Sequence, residues 1–454
     1  MSDTFLQRIT NLGTGQSART APPLHVPMRF FASAIVFFLA GAVVLLVTAS
    51  RLPSIPYLAL HLWTVGGGMM LVVGALTQIV TVAYHISFAS TRWLSAIWWA
   101  IVMGAVALAV GFSLHVSWLQ GIAGALLAVA LLGYALLLMI TFRQPHKTQP
   151  CGRFIAISAT SLAVVALLGI GSAVLSTRTS TLVFHHFPAI HALIGLGGAF
   201  GSLIVGISYQ LFPLFARTKR PAQVHPSTTF ALVVAALICG VTALTLSPGI
   251  ATFTVQLLAL LLGTVTLTVW LLDLERFLSL RREAEIDFAL ANQQVAAVHA
   301  GVAVLTGVAA AVLQWTSAPL SVRLSLTQGA GTIFWLGFVM ASMLGWLFKI
   351  LPFLLYMARY QPYYARREVP VYRTLYRQER GQLLLLIWYL ATWLLAIASV
   401  AMHSSLADIG AALVLVTLIG FIAAQLWVFS QPPAEAFPER TDGHPALHTP
   451  SHDS

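Results

Sequence analysis

The 454-residue chain is 58% hydrophobic and 8% charged, with a mean hydropathy of +0.87, which excludes a soluble globular domain and places it among polytopic membrane proteins. The formal net charge of +11 does not indicate nucleic-acid binding, because the basic residues are dispersed among short loops. With only two cysteines, Cys151 and Cys239, set apart in depth and sequence, there is no disulfide framework and no cysteine-based metal motif.

The first 28 residues are polar and lack a short apolar core followed by a cleavage site, so residues 1–28 are expected to be a cytoplasmic tail and not a signal peptide. A bilayer core of roughly 30 Å needs about 20 apolar helical residues. Twelve such runs follow, expected near 29–50, 58–83, 91–114, 117–141, 153–176, 187–216, 224–246, 250–274, 291–313, 327–357, 382–402 and 406–430. They make 29–430 the membrane domain. The remainder, 431–454, holds His444, His448 and His452 between prolines and reads as a disordered cytoplasmic tail.

Cytoplasmic loops retain Lys and Arg. With the N-terminus inside, twenty basic residues fall in inner segments and only Arg51, Arg178 and Arg323 fall outside, with Lys349 left within a span. Both termini are therefore expected to be cytoplasmic, in a bacterial inner membrane. The inner loop from Arg359 to Arg380 alternates Arg with Tyr and reads as an interfacial anchor to anionic headgroups, or alternatively as a docking surface for a soluble partner.

Polar residues within spans are costly and mark function by default. Asp273, Glu275 and Asp287 lie at inner helix ends and Asp408 at an outer end, so no carboxylate sits halfway across the bilayer for a proton relay. Lys349, near the inner end of span 10, is expected to snorkel its long stem to the interface. The histidines carry more information. His61 and His191 each lie about one turn below the outer boundary, on spans 2 and 6, and His115, His185, His186 and His403 fall in outer loops or at outer helix ends. Neutral imidazole is the usual protein ligand of haem iron and copper, so this side is a candidate haem or metal site. His299 lies deeper and reads as a hydrogen-bonded core histidine. After His191, the small residues Gly195, Gly198 and Ser202 share its face, and Gly68 follows His61 by seven within a Gly66-Gly67-Gly68 run. Such a surface suits a flat macrocycle or close helix packing equally.

The chain also repeats itself. Gly74-Ala75-Leu76-Thr77-Gln78-Ile79, Gly206-Ile207-Ser208-Tyr209-Gln210-Leu211 and Gly345-Trp346-Leu347-Phe348-Lys349-Ile350 begin 132 and then 139 residues apart, and in the last two a proline follows the polar residue by three, at Pro213 and Pro352. That spacing predicts an all-α array of three four-helix units, 29–141, 153–274 and 291–430, related by a pseudo-threefold axis along the membrane normal, with spans 2, 6 and 10 equivalent.

Three four-helix units with ligand-bearing spans 2, 6 and 10 resemble the catalytic subunit I of the haem-copper oxidase superfamily, which includes nitric oxide reductases. The segments from His61-Leu62-Trp63-Thr64 to Gln78, from His191-Ala192-Leu193 to Tyr209-Gln210-Leu211-Phe212-Pro213, and from Lys349-Ile350-Leu351-Pro352 to Arg359-Tyr360 are similar to oxidase-like relatives. The resemblance implies His61 as a low-spin haem b ligand and His191 as a copper ligand, and His186 just before span 6 joins His191 as a candidate metal ligand. It departs from the family elsewhere. Spans 7 and 10 should bring a His-His pair and two further histidines, yet they offer only His225, at the wrong end, and Leu193 stands 13 residues before Gly206 where His61 stands 13 before Gly74. A complete oxygen-reducing centre is therefore not expected. The resemblance implies a haem- or copper-binding membrane protein of respiratory electron transfer or nitrogen-oxide metabolism, with a respiratory-chain or cytochrome partner. The alternative is a non-redox permease or scaffold that reuses the fold.

Overall fold

The structure, a computed structural model, describes residues 22–51, 54–84, 86–144, 149–175, 187–218, 221, 223–282, 286–316, 318–364 and 366–439. Among them are twelve helices long and apolar enough to cross a membrane. These are α1 (His25–Thr48), α2 (Tyr57–Thr81), α3 (Thr91–Ser113), α4 (Ser117–Thr141), α5 (Cys151–Ser172), α6 (Phe187–Phe215), α7 (Pro226–Thr245), α8 (Ile250–Ser279), α9 (Phe288–Leu313), α10 (Leu320–Arg359), α11 (Gln378–Ala401) and α12 (Ser404–Phe429). The chain is an all-α polytopic membrane protein. Its helices satisfy their own backbone groups, as an apolar solvent requires, and Thr77, Thr141 and Thr392 return their hydroxyls to carbonyls one turn back at 2.7–2.9 Å.

Successive helices pack side by side, and α12 returns to α1 to close a ring. Inside it stand α2, α6 and α10, which meet where Gly68, Phe200 and Trp335 touch. The most central helix is α10, 89% of whose apolar window is buried. It begins at Leu320, earlier than hydropathy suggests, because Ser321, Arg323 and Ser325 lower the hydropathy of the first turns without breaking the helix.

The threefold repeat is built into the packing. Each central helix contains an eight-residue π-helical stretch, Leu62–Met69, Ile194–Gly201 and Ile333–Met340, ending five residues before Gly74, Gly206 and Gly345 respectively. Those three glycines receive Phe30 with Phe31, Phe154 and Asn292 from the preceding ring helix, and Gly66, Gly198 and Gly337 receive Phe37, Ser161 and His299. On the ring helices the contacts are seven residues apart, and on the central helices eight. The wider π turns absorb the extra residue, so both helices cover the same rise between contacts. Side chains as different as Phe, Ser and His fill one repeated slot.

Two features differ from expectation at the arginine-rich end. Lys349 does not snorkel; it is 3% exposed, pairs with Asp287 at the start of α9, and lies 4.3 Å above the Phe215 ring. Asp287 also caps α9 through Ala289 N at 3.0 Å and accepts from the Tyr376 hydroxyl at 3.1 Å. Arg359 and Arg367 face protein instead of headgroups. Arg359 donates to Gln431 O at 2.7 Å, while Arg367 donates to Glu435 O and Phe437 O at 2.9 Å each and forms an isolated antiparallel bridge with Glu439. Residues 431–439 are thus tied to the loop after α10.

Candidate functional site

His61 and His191 begin the central helices α2 and α6, and the ring geometry brings those two helix ends together. Their imidazole centroids are 6.3 Å apart with planes 26° from parallel. His61 directly precedes the π-helical stretch of α2, and His191 precedes that of α6 by three residues. π turns recur at functional sites, where they re-aim side chains.

Each ring is oriented by a backbone carbonyl. His61 Nδ1 lies 2.8 Å from Tyr57 O, and His191 Nδ1 lies 3.0 Å from Val165 O on α5. A carbonyl only accepts, so Nδ1 carries the proton in both rings and Nε2 keeps its lone pair. This is the arrangement that fixes the tautomer of a metal-ligating histidine. Phe112 of α3 packs on His61 with ring centroids 4.7 Å apart, closing one side of the pair.

His299 is built differently. Its Nδ1 donates to Val295 O at 2.8 Å, its Nε2 accepts from Trp393 Nε1 at 3.1 Å, and its ring stacks on Tyr389 at 4.5 Å. Both nitrogens are occupied, as suits a packed core residue in the Gly337 slot. At the opposite end, His225 caps α7; its ring lies 3.1 Å from Arg276 and its backbone N donates to the buried Asp273 at 2.8 Å.

The glycine faces beside the two histidines are filled by protein. Gly66 and Gly67 lie under Phe37 and Phe38, Gly68 under Phe200, Gly198 under Ser161, and Gly195 against Val165. These small residues serve helix packing, so the pair offers no clear flat face for a macrocycle. Two metal–nitrogen bonds of roughly 2 Å, with about 1 Å more from each nitrogen to its ring centre, span about 6 Å, close to the separation of these two rings, whose planes lie 26° from parallel.

Among the described residues, the pair gains no third ligand from the other outer histidines. His185 and His186 lie outside the described residues. His115 follows α3 in a left-handed conformation (φ 54°), His403 caps α12, and among the described residues no three His, Cys, Asp or Glu side chains come together to hold an ion. The orienting groups Tyr57 O and Val165 O are main-chain atoms, which no residue pattern could have announced. The sequence matches no protein-family model and no curated protein.

Proposed function

We propose that the chain is a copper-binding membrane protein of oxidase-like architecture, acting in respiratory electron transfer or nitrogen-oxide metabolism in a bacterial inner membrane. The observation that carries the reading is the 6.3 Å spacing of His61 and His191, each with Nδ1 held by a carbonyl. Two neutral imidazoles without a carboxylate favour a monovalent ion, since every uncompensated charge is costly inside a membrane domain. A bound copper ion would supply one-electron chemistry to a cytochrome or respiratory-chain partner. Tyr57 O and Val165 O hold the rings in register, and Phe112 limits water at His61. The glycine faces beside these residues are filled by protein side chains and do not suit haem.

A non-redox scaffold or permease is the second reading, and those same filled faces favour it. Metal analysis and visible spectroscopy of protein purified from copper- and haem-replete cells separate the two. One copper per chain and no Soret band are expected. A colourless, metal-free protein overturns the copper reading and leaves the scaffold.

A further inference from the structure

The three repeats pack unequally. In the first and third, the ring hairpins α3–α4 and α11–α12 have 33–44% of their apolar windows buried, whereas α7 and α8 have only 17% and 11%. The α7–α8 hairpin stands off the central helices, and the space behind it is a cavity of about 450 Å³ bounded by α6, α7, α8, α9 and α10. That volume lies in the range of small-molecule sites.

The cavity is long and graded in polarity. Along α8 its lining runs from Thr252 to Leu267, about 22 Å at the helical rise, from the end of the bundle carrying His61 toward the middle. Leu237, Phe334 and Phe338 furnish its apolar wall, and no charged side chain lines it. The Thr252 and Thr266 hydroxyls are spent on Ser247 O and Leu262 O. The amides of Gln256, half-buried, and Gln314, exposed at the end of α9, both lie toward the histidine end and make no hydrogen bond among the described residues. A half-open apolar groove with one half-buried and one exposed amide at its end matches a molecule with a hydrogen-bonding, uncharged head and a single long apolar tail.

We infer that this cavity binds an uncharged single-chain amphiphile drawn from the bilayer, its head on Gln256 and Gln314 and its tail along Gly263 toward Phe338. The inference is independent of the histidine pair and stands whether or not copper binds there.

Gly263 lines the cavity and a Cβ added there meets nothing nearer than Val304 at 4.0 Å, so Gly263→Leu is the variant that occupies it. Gly133 on α4, with nothing within 4 Å of an added Cβ, supplies the control Gly133→Leu. The full chain is placed in phosphatidylcholine vesicles with a photoactivatable monoacylglycerol, and labelling of α7 and α8 is read by peptide mass spectrometry. Gly263→Leu is expected to lower that labelling about tenfold, Gln256→Leu to lower it by a similar factor through loss of the head contact, and Gly133→Leu to leave it unchanged. A phosphatidylcholine carrying the same photoactivatable chain identifies ordinary bilayer lipid as the source. Equal labelling of the same peptides by that lipid, or labelling indifferent to Gly263→Leu, overturns the proposal.

Discussion

The rings of His61 and His191 lie 6.3 Å apart although neither occupies the other's place in the threefold repeat. The repeat partner of His61 is Leu193, thirteen residues before Gly206, and that of His191 is Ala59. The pair is therefore not a by-product of duplication. It is an asymmetric feature laid on a symmetric frame, with one ring oriented from within its own helix and the other from α5.

If that asymmetry serves an ion, the two histidines are unequal to His299 in what their removal does. His61→Ala is expected to abolish bound copper and His191→Ala to weaken it at least about tenfold. His299→Ala should leave copper in place and instead lower stability by about 1–3 kcal/mol, since Trp393 Nε1 loses its acceptor and a cavity opens beside Gly337. Copper stoichiometry and thermal unfolding in detergent, measured on all three variants, check both halves. Copper retained at full stoichiometry by His61→Ala would falsify the assignment of the site.

The Lys349–Asp287 pair gives a second expectation. Lys349 stands at the repeat position held by Gln78 and Gln210, so one of three equivalent slots has gained a charge that α9 must neutralise. Lys349→Met leaves the partly buried Asp287 without its cation, held only by Ala289 N and Tyr376, and should destabilise the protein by about 1–3 kcal/mol, whereas Lys349→Met combined with Asp287→Asn should recover much of that loss. Thermal melts of the single and double variants decide it. A double variant no more stable than the single would show that the pair is not the reason.

The repeat itself was legible because the glycines at 74, 206 and 345 are positions where any side chain would collide with the neighbouring helix, and that constraint leaves a trace in sequence. The π-helical stretches were not, since an added residue in an apolar run changes neither its composition nor its length enough to notice. The stand-off of α7–α8 was equally hidden: a helix apolar on all sides looks the same in sequence whether it meets protein or lipid. Lys349 was misplaced because snorkelling and ion pairing demand the same residue at the same depth, and Asp287 lies 62 positions away. The candidate histidines were readable by depth, but their orientation depends on carbonyls, which every residue possesses.

Packing at the repeat glycines can be tested directly. At Gly206 an added Cβ would fall inside the Phe154 side chain, which is fully buried and cannot swing away. Gly206→Ala should therefore cost about 1–3 kcal/mol by overpacking. Gly133→Ala, in open space, should be neutral or slightly stabilising because alanine is the better helix former. Equal melting temperatures for the two variants would remove the close-packed slot as the reason for glycine there.

The orientation of the bundle follows from charge and is tested by reporter fusions. By their order in the sequence, twenty of the basic residues are expected on one side of the twelve spans and three on the other, a bias that one missing or extra span would scramble. Fusions after Ser50, Thr177 and His403 should report the outer compartment, and those after Gln144 and Arg282 the cytoplasm. The result bears on the site as well, because His61, His191, Gln256 and Gln314 all lie toward the end expected to face outward. A copper ion there would exchange with the outer compartment; one reversed reporter would overturn the twelve-span assignment, and reversal of all five would place the pair on the cytoplasmic side.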